Sequence, residues 1–144
     1  MRTTQAPKMV LWPRMHRRKR HSMRTLQKAD LPTAPGVYAL YRDDTPMYVG
    51  KATSLQDRVW KSHSGRGLRM GSSAMRRNVA EYLEIAKAKD IKSDSHRITT
   101  EEAARVRAWL DDCQIAWREC PDAGAAEELE REMKAEHRPP LTKQ

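Results

Sequence analysis

Gly36-Val37-Tyr38-Ala39-Leu40-Tyr41-Arg42-Asp43-Asp44-Thr45-Pro46-Met47-Tyr48-Val49-Gly50 is the stretch on which the reading of this chain turns. Val37, Ala39 and Tyr41 alternate with Tyr38 and Leu40, the period of a strand whose side chains point to opposite faces in turn. Arg42-Asp43-Asp44-Thr45-Pro46 has the composition of a turn, and Met47-Tyr48-Val49 resumes a short strand. The segment therefore predicts a β-hairpin.

Downstream, Thr53-Ser54-Leu55-Gln56 has the form of a capping box and opens a helix to about His63, with Leu55 and Val59 on one face. Ser64-Gly65-Arg66-Gly67 ends it. A second helix begins near Ser72 and puts Met75, Val79 and either Tyr82 or Leu83 on one side. Residues 87–98 are charged and aperiodic and read as a loop. Thr99-Thr100-Glu101-Glu102 repeats the capping-box pattern before a third helix with Ala103, Val106 and Leu110 inward. Cys113, Ile115 and Trp117 alternate with Gln114, Ala116 and Arg118 as a third strand. Asp122 caps a last helix lined by Ala126, Leu129 and Met133, which Pro139-Pro140 stops. The expected fold class is α+β, a small three-stranded antiparallel sheet flanked by helices, over residues 31–144.

The 144 residues suit one small domain and a tail. Hydrophobic residues make up 38%, with four Trp, four Tyr and no Phe, so the core must be lean and Trp60, Trp109 and Trp117 supply its bulk. No run approaches the ~18 apolar residues of a membrane span, and the basic start lacks an apolar signal region. The expectations are no membrane association, no secretion and a cytoplasmic location. Cys113 and Cys120 are too few for a disulfide framework and lack zinc-site spacing. His16, His21, His96 and His137 show no metal-ligand spacing either. No P-loop, dinucleotide fingerprint or Ser-His-Asp order is present.

Lys and Arg number 28 against 19 Asp and Glu, a net charge of +9. Residues 1–30 hold nine basic groups against Asp30 alone and are expected to form a flexible basic arm. Residues 51–78 hold Lys51, Arg58, Lys61, Arg66, Arg69, Arg76 and Arg77 against Asp57. Residues 79–144 are net acidic. Two basic blocks of this density point to acidic polymers as partners, with phosphate contacts from both the arm and the internal block.

The two hairpin triplets Gly36-Val37-Tyr38 and Tyr48-Val49-Gly50 resemble the paired tripeptides of the GIY-YIG nucleases, which that family also carries on two hairpin strands. Lys51 follows the second triplet directly, as in the nuclease domain of bacterial excision-repair enzymes. Arg58 lies ten residues after Tyr48, where the family keeps its catalytic arginine, and Glu130 lies nine residues before Pro139, where it keeps a metal-binding glutamate. The resemblance covers about residues 31–142. It implies a metal-dependent endonuclease whose catalytic residues are Tyr38, Tyr48, Lys51, Arg58, His63 and Glu130. Glu130 is the implied ligand of one Mg²⁺ or Mn²⁺ ion. Lys61, Arg66, Arg69, Arg76 and Arg77 form the expected nucleic-acid surface, with duplex or branched DNA as partner and RNA as the weaker candidate. Two positions depart from the family pattern. Thr142 stands where an Asn is common, and His63 follows Arg58 by five residues where four is usual. A nucleic-acid-binding module that has lost catalysis is the alternative these departures suggest.

Phosphodiester hydrolysis needs an activated water, a Lewis acid and positive charge for the developing dianion. Glu130 offers a hard oxygen donor, and Arg58 a rigid fork that stays charged. Tyr38 and Tyr48 are placed to orient water, and one of them to act as base, the resemblance favouring Tyr48; Lys51 adds charge that lowers a neighbouring phenol's pKa. Taken singly, Glu130 equally suits an i, i+4 pair with Lys134, and Arg58 a solvated helix position. Only their joint occurrence points to a site.

Overall fold

The computed structural model describes residues 10–63 and 70–143, the side chains of residues 62 and 63 apart. The hairpin forms as expected: β2 (Gly36–Arg42) and β3 (Thr45–Ala52) pair antiparallel from Arg42↔Thr45 to Gly36↔Ala52. Its turn is only Asp43-Asp44, both at positive φ (49° and 64°), the left-handed pair that matches strand twist in a two-residue hairpin. Met47 is the extra residue of a bulge between the Leu40↔Tyr48 and Tyr41↔Pro46 pairs. Pro46 is tolerated because β3 is an edge strand.

The sheet has four strands, not three. Its order is β1-β4-β2-β3, with β1 (His21–Ser22) pairing β4 (Gln114–Glu119). Two paired residues carry no readable alternation, which is why β1 escaped the sequence. Helices cover both faces. Val37, Ala39, Tyr41 and Val49 pack with Trp12 and Met15 of α1 (Leu11–His16) and with Ala126 and Met133 of α5 (Ala123–Glu136). On the other face, Tyr38, Leu40 and Tyr48 pack with Leu55, with Val59 of a π-helical turn (Gln56–His63), and with residues of α2 (Ala74–Tyr82) and α4 (Thr100–Asp111).

Several local signals act as read. Thr99 and Glu102 close a reciprocal capping box on α4, and Asp122 caps α5 by accepting the Ala125 N–H at 2.7 Å. Ser73 caps α2, which turns Leu83 inward and leaves Tyr82 exposed. Others differ. The Thr53/Gln56 box does not form: Ser54 Oγ accepts from the Asp57 N–H, and Gln56 Nε2 donates to the carbonyls of Lys28 and Leu31. Residues 87–98 include a short helix, α3 (Ala88–Lys92), seated by Ala88 and Ile91.

Residues 10–30 pack against the sheet, where the sequence suggested a flexible arm. Trp12 is fully buried, and its Nε1 donates to the Met133 carbonyl at 2.8 Å. Met15, Met23 and Leu26 are buried as well. These spaced apolar groups were masked by the basic residues between them, which face outward. Residues 1–9 lie outside the described residues. Among the described residues, no helix is long and apolar enough to cross a membrane.

Trp12→Ala is expected to cost about 3–5 kcal/mol in urea unfolding; a free arm would leave the midpoint unchanged.

Candidate active site

The two triplet tyrosines sit diagonally across the hairpin, their rings stacked with centroids 6.1 Å apart. Both glycines of the triplets answer to close approach. A Cβ on Gly50 would lie 2.4 Å from the Tyr38 hydroxyl, and one on Gly36 would lie 2.4 Å from the Arg118 carbonyl oxygen of β4. A side chain at Gly50 would thus displace the phenol that its partner strand lays across it.

Arg58 reaches the tyrosines from the π-helical turn and hydrogen-bonds Tyr38, which in turn hydrogen-bonds Tyr48. Its Nη1 also donates to the Ser72 carbonyl at 3.4 Å. Arg77, from α2, approaches the same group and is anchored on the Gly71 carbonyl. Beyond α5, the chain returns along the free edge of β3. Leu141 N–H donates to the Met47 carbonyl at 2.8 Å, and Val49 N–H donates to Thr142 Oγ1 at 3.0 Å. Asn78 of α2 clamps this return by donating from Nδ2 to the Leu141 carbonyl at 2.8 Å. The Thr142 oxygen therefore satisfies a buried edge amide, one of the two functions an amide side chain would have served there.

These elements surround a cleft of about 1110 Å³ at the β3 edge, lined by Tyr38, Tyr48, Lys51, Arg58, Lys61 and Glu130. Glu130 comes from α5, on the sheet face opposite the tyrosine rings, and reaches the cleft past the edge strand. Its Oε1 accepts from Lys134 Nζ at 3.1 Å, so the i, i+4 pair forms within the cleft. Lys51 pairs with Glu127 and Lys61 with Asp57, each at 3.3 Å. Arg58, Arg77, Lys89 and Lys92 also line it and have no acidic partner among the described residues. The surplus is positive, as a polyanion site requires.

Burial pushes Tyr38 well above the ordinary phenol value, with the Tyr48 oxygen adding to that and Arg58 opposing it. Tyr48 is also raised, chiefly by burial and further by the Glu130 charge, while Arg58, the Tyr38 hydrogen bond and Arg77 pull it down. Both phenols are thus harder to ionise than a free tyrosine. The cations that pull Tyr48 down are Arg58 and Arg77, while Lys51 pairs with Glu127.

Of the five cations expected to bind nucleic acid, Lys61 and Arg77 line the cleft. Arg76 does not. It is 4% exposed, and burial and Arg107 lower its pKa. Successive helix residues point about 100° apart, and here that step puts Arg77 on the cleft and Arg76 in the interior. Arg66, Arg69 and the His63 side chain lie outside the described residues. Asn78, Lys89, Lys92 and Lys143 line the cleft without having been singled out; only the positive charge of residues 87–92 hinted at any of them. Among the described residues, no group of three His, Cys, Asp or Glu is placed to hold a metal.

Residues 19–144 match the model of the GIY-YIG catalytic domain, nearly the whole chain, and the protein belongs to the GIY-YIG family. No curated protein and no solved structure matches the chain significantly. Membership implies nuclease-type function on a nucleic-acid substrate, and GIY-YIG nucleases generally use a divalent metal.

Thr142→Val is expected to cost about 1–3 kcal/mol by leaving the Val49 amide without an acceptor, with Thr142→Ser retaining most of it; chemical denaturation reads both. Glu81 accepts from the Ala88 N–H and from Lys143, which hold its carboxyl below the ordinary value. A depressed acid stabilises above its unfolded pKa and loses that as pH falls through the folded one. Glu81→Gln should therefore lower Tm at neutral pH, with the difference shrinking as pH falls through the depressed value of the Glu81 carboxyl.

Proposed function

We propose that this protein is a metal-dependent endonuclease that hydrolyses DNA phosphodiester bonds in the cleft at the β3 edge. The observation that carries the reading is the gathering of Tyr38, Tyr48, Arg58 and Glu130, distant in sequence, around one cationic cleft. The donor set suits a hard cation: Glu130 offers one carboxylate, and the lack of a three-ligand cluster among the described residues leaves other positions for water and phosphate oxygens. A bound divalent ion would supply Lewis acidity toward a phosphate oxygen.

Arg58 and Arg77 orient the scissile phosphate and balance its developing charge, Arg58 by a planar fork. Arg58 also fixes Tyr38, and Tyr38 fixes Tyr48. Tyr48, as the phenolate, takes the proton of the attacking water, whose oxygen bonds to phosphorus as the bridging P–O bond breaks; the bond's electron pair leaves on the departing oxygen, which takes a proton from solvent. The Glu130 charge that raises the Tyr48 phenol is the one a cation neutralises, so occupancy of Glu130 and ionisation of Tyr48 favour each other. Lys51 and Lys61 extend the cationic wall along the strand.

Nicking of supercoiled and branched DNA with Mg²⁺ or Mn²⁺ tests the proposal. Glu130→Gln and Arg58→Ala are each expected to lose about 10²–10³-fold in rate. Wild type no faster than Glu130→Gln on every substrate, with DNA binding intact in both, would instead establish a non-catalytic binding module.

A further inference from the structure

On the other side of α5 from the cleft lies a second groove, of about 540 Å³. Its floor is apolar and aromatic: half-buried Leu11 of α1, Trp117 of β4 and Leu129 of α5 face it, with Met15 and Met133 buried beneath them. His21 stacks on Trp117 with ring centroids 4.5 Å apart and planes 21° from parallel. Its rim carries Arg14, Arg17, Arg18, Lys19 and Arg118, and no Asp or Glu lines it. Arg18 is held at the wall by donating from Nε to the Trp117 carbonyl.

None of these five cations is ion-paired among the described residues, and the remaining residues of the chain contain no Asp or Glu. Elsewhere on the surface, pairing is common: Arg20 meets Asp44, Arg24 meets Asp112 and Arg131 meets Glu128. Five like charges gathered without a counter-charge repel one another, a cost that a bound polyanion relieves. The floor narrows the choice of polyanion. A duplex stacks its base faces inside and presents phosphates, sugars and polar base edges, for which an apolar floor does little. A single strand presents phosphates to a cationic rim and base faces to apolar and aromatic groups. The solvent face of α5 carries the exposed Glu132 and Glu128, the latter paired with Arg131 at 3.8 Å, so it is net acidic and disfavours a backbone laid across it. The groove is thereby set apart as a place for a separate strand.

We propose that this groove binds single-stranded DNA, so that the preferred substrates carry an unpaired tail or branch beside the strand held in the cleft. The choice of DNA rests on the function proposed above; the groove's preference for an unpaired strand does not.

The test is fluorescence anisotropy with full-length Glu130→Gln protein, which keeps binding separate from cleavage, using labelled oligo(dT)15, oligo(U)15 and a 15-base-pair duplex. In that background Arg14→Gln, Arg17→Gln and Lys19→Gln, three exposed positions, are combined. The expected result is at least about tenfold weaker oligo(dT)15 binding, with a salt slope shallower by about 2 units for three lost phosphate contacts, and duplex affinity within about twofold. Unchanged oligo(dT)15 affinity, or equal loss for strand and duplex, overturns the proposal; tighter binding of oligo(U)15 than of oligo(dT)15 overturns the assignment to DNA. Failure of the nuclease assay with this binding pattern intact would remove the catalytic reading and leave the groove.

Discussion

A strand covered on both faces must supply apolar side chains in both directions, and β2 does so from Gly36 to Tyr41, all buried. Its odd side chains meet α1 and α5, and its even ones meet the π-helical turn, α2 and α4. Elements on opposite faces of such a sheet are kept apart by the sheet itself. They can meet only past its edge, and β3 is that edge. The position of the cleft follows. Tyr48 and Arg58 approach from one face, Glu130 from the other, and the edge strand lies between them.

An open edge carries unpaired amides and carbonyls that attract foreign strands. Here the C-terminal segment occupies it, with Leu141 on the Met47 carbonyl and Thr142 on the Val49 amide. This closure also seats Lys143 beside the cleft and brings Asn78 into its wall. The same few hydrogen bonds protect the sheet and complete the site. A residue that departs from the family pattern, Thr142, is accommodated because one oxygen acceptor suffices for the amide it meets.

The charge pattern divides in the same way. The two basic blocks of the sequence become two separate tracts, one in the cleft and one in the groove beyond α5, with the net acidic solvent face of that helix between them. Burial then sorts the residues within each block. Arg77 faces the cleft and Arg76 the interior, although nothing in their composition distinguishes them. In the N-terminal block, Trp12 and Met15 turn inward and Arg14, Arg17 and Arg18 outward. What reads linearly as a polar tail is in three dimensions a helix with one apolar side.

The hairpin, the caps of α4 and α5 and the inward faces of the long helices were legible because each depends on neighbours a few residues apart, within reach of strand or helix periodicity. The set Tyr38, Tyr48, Lys51, Arg58 and Glu130 was legible only through the order and spacing that a resemblance supplies; each residue alone fitted an ordinary structural position. The two-residue strand β1, the packing of Trp12, the burial of Arg76 and the pairing of Thr142 with Val49 were not legible. Each joins residues far apart in the chain, and no local pattern records which partner a side chain meets. Sequence by itself determined the strands β2, β3 and β4, the long helices and the inventory of chemical groups. Tertiary structure alone decided which cations remain unpaired and which pKa values shift, because charge and burial depend on distances through space.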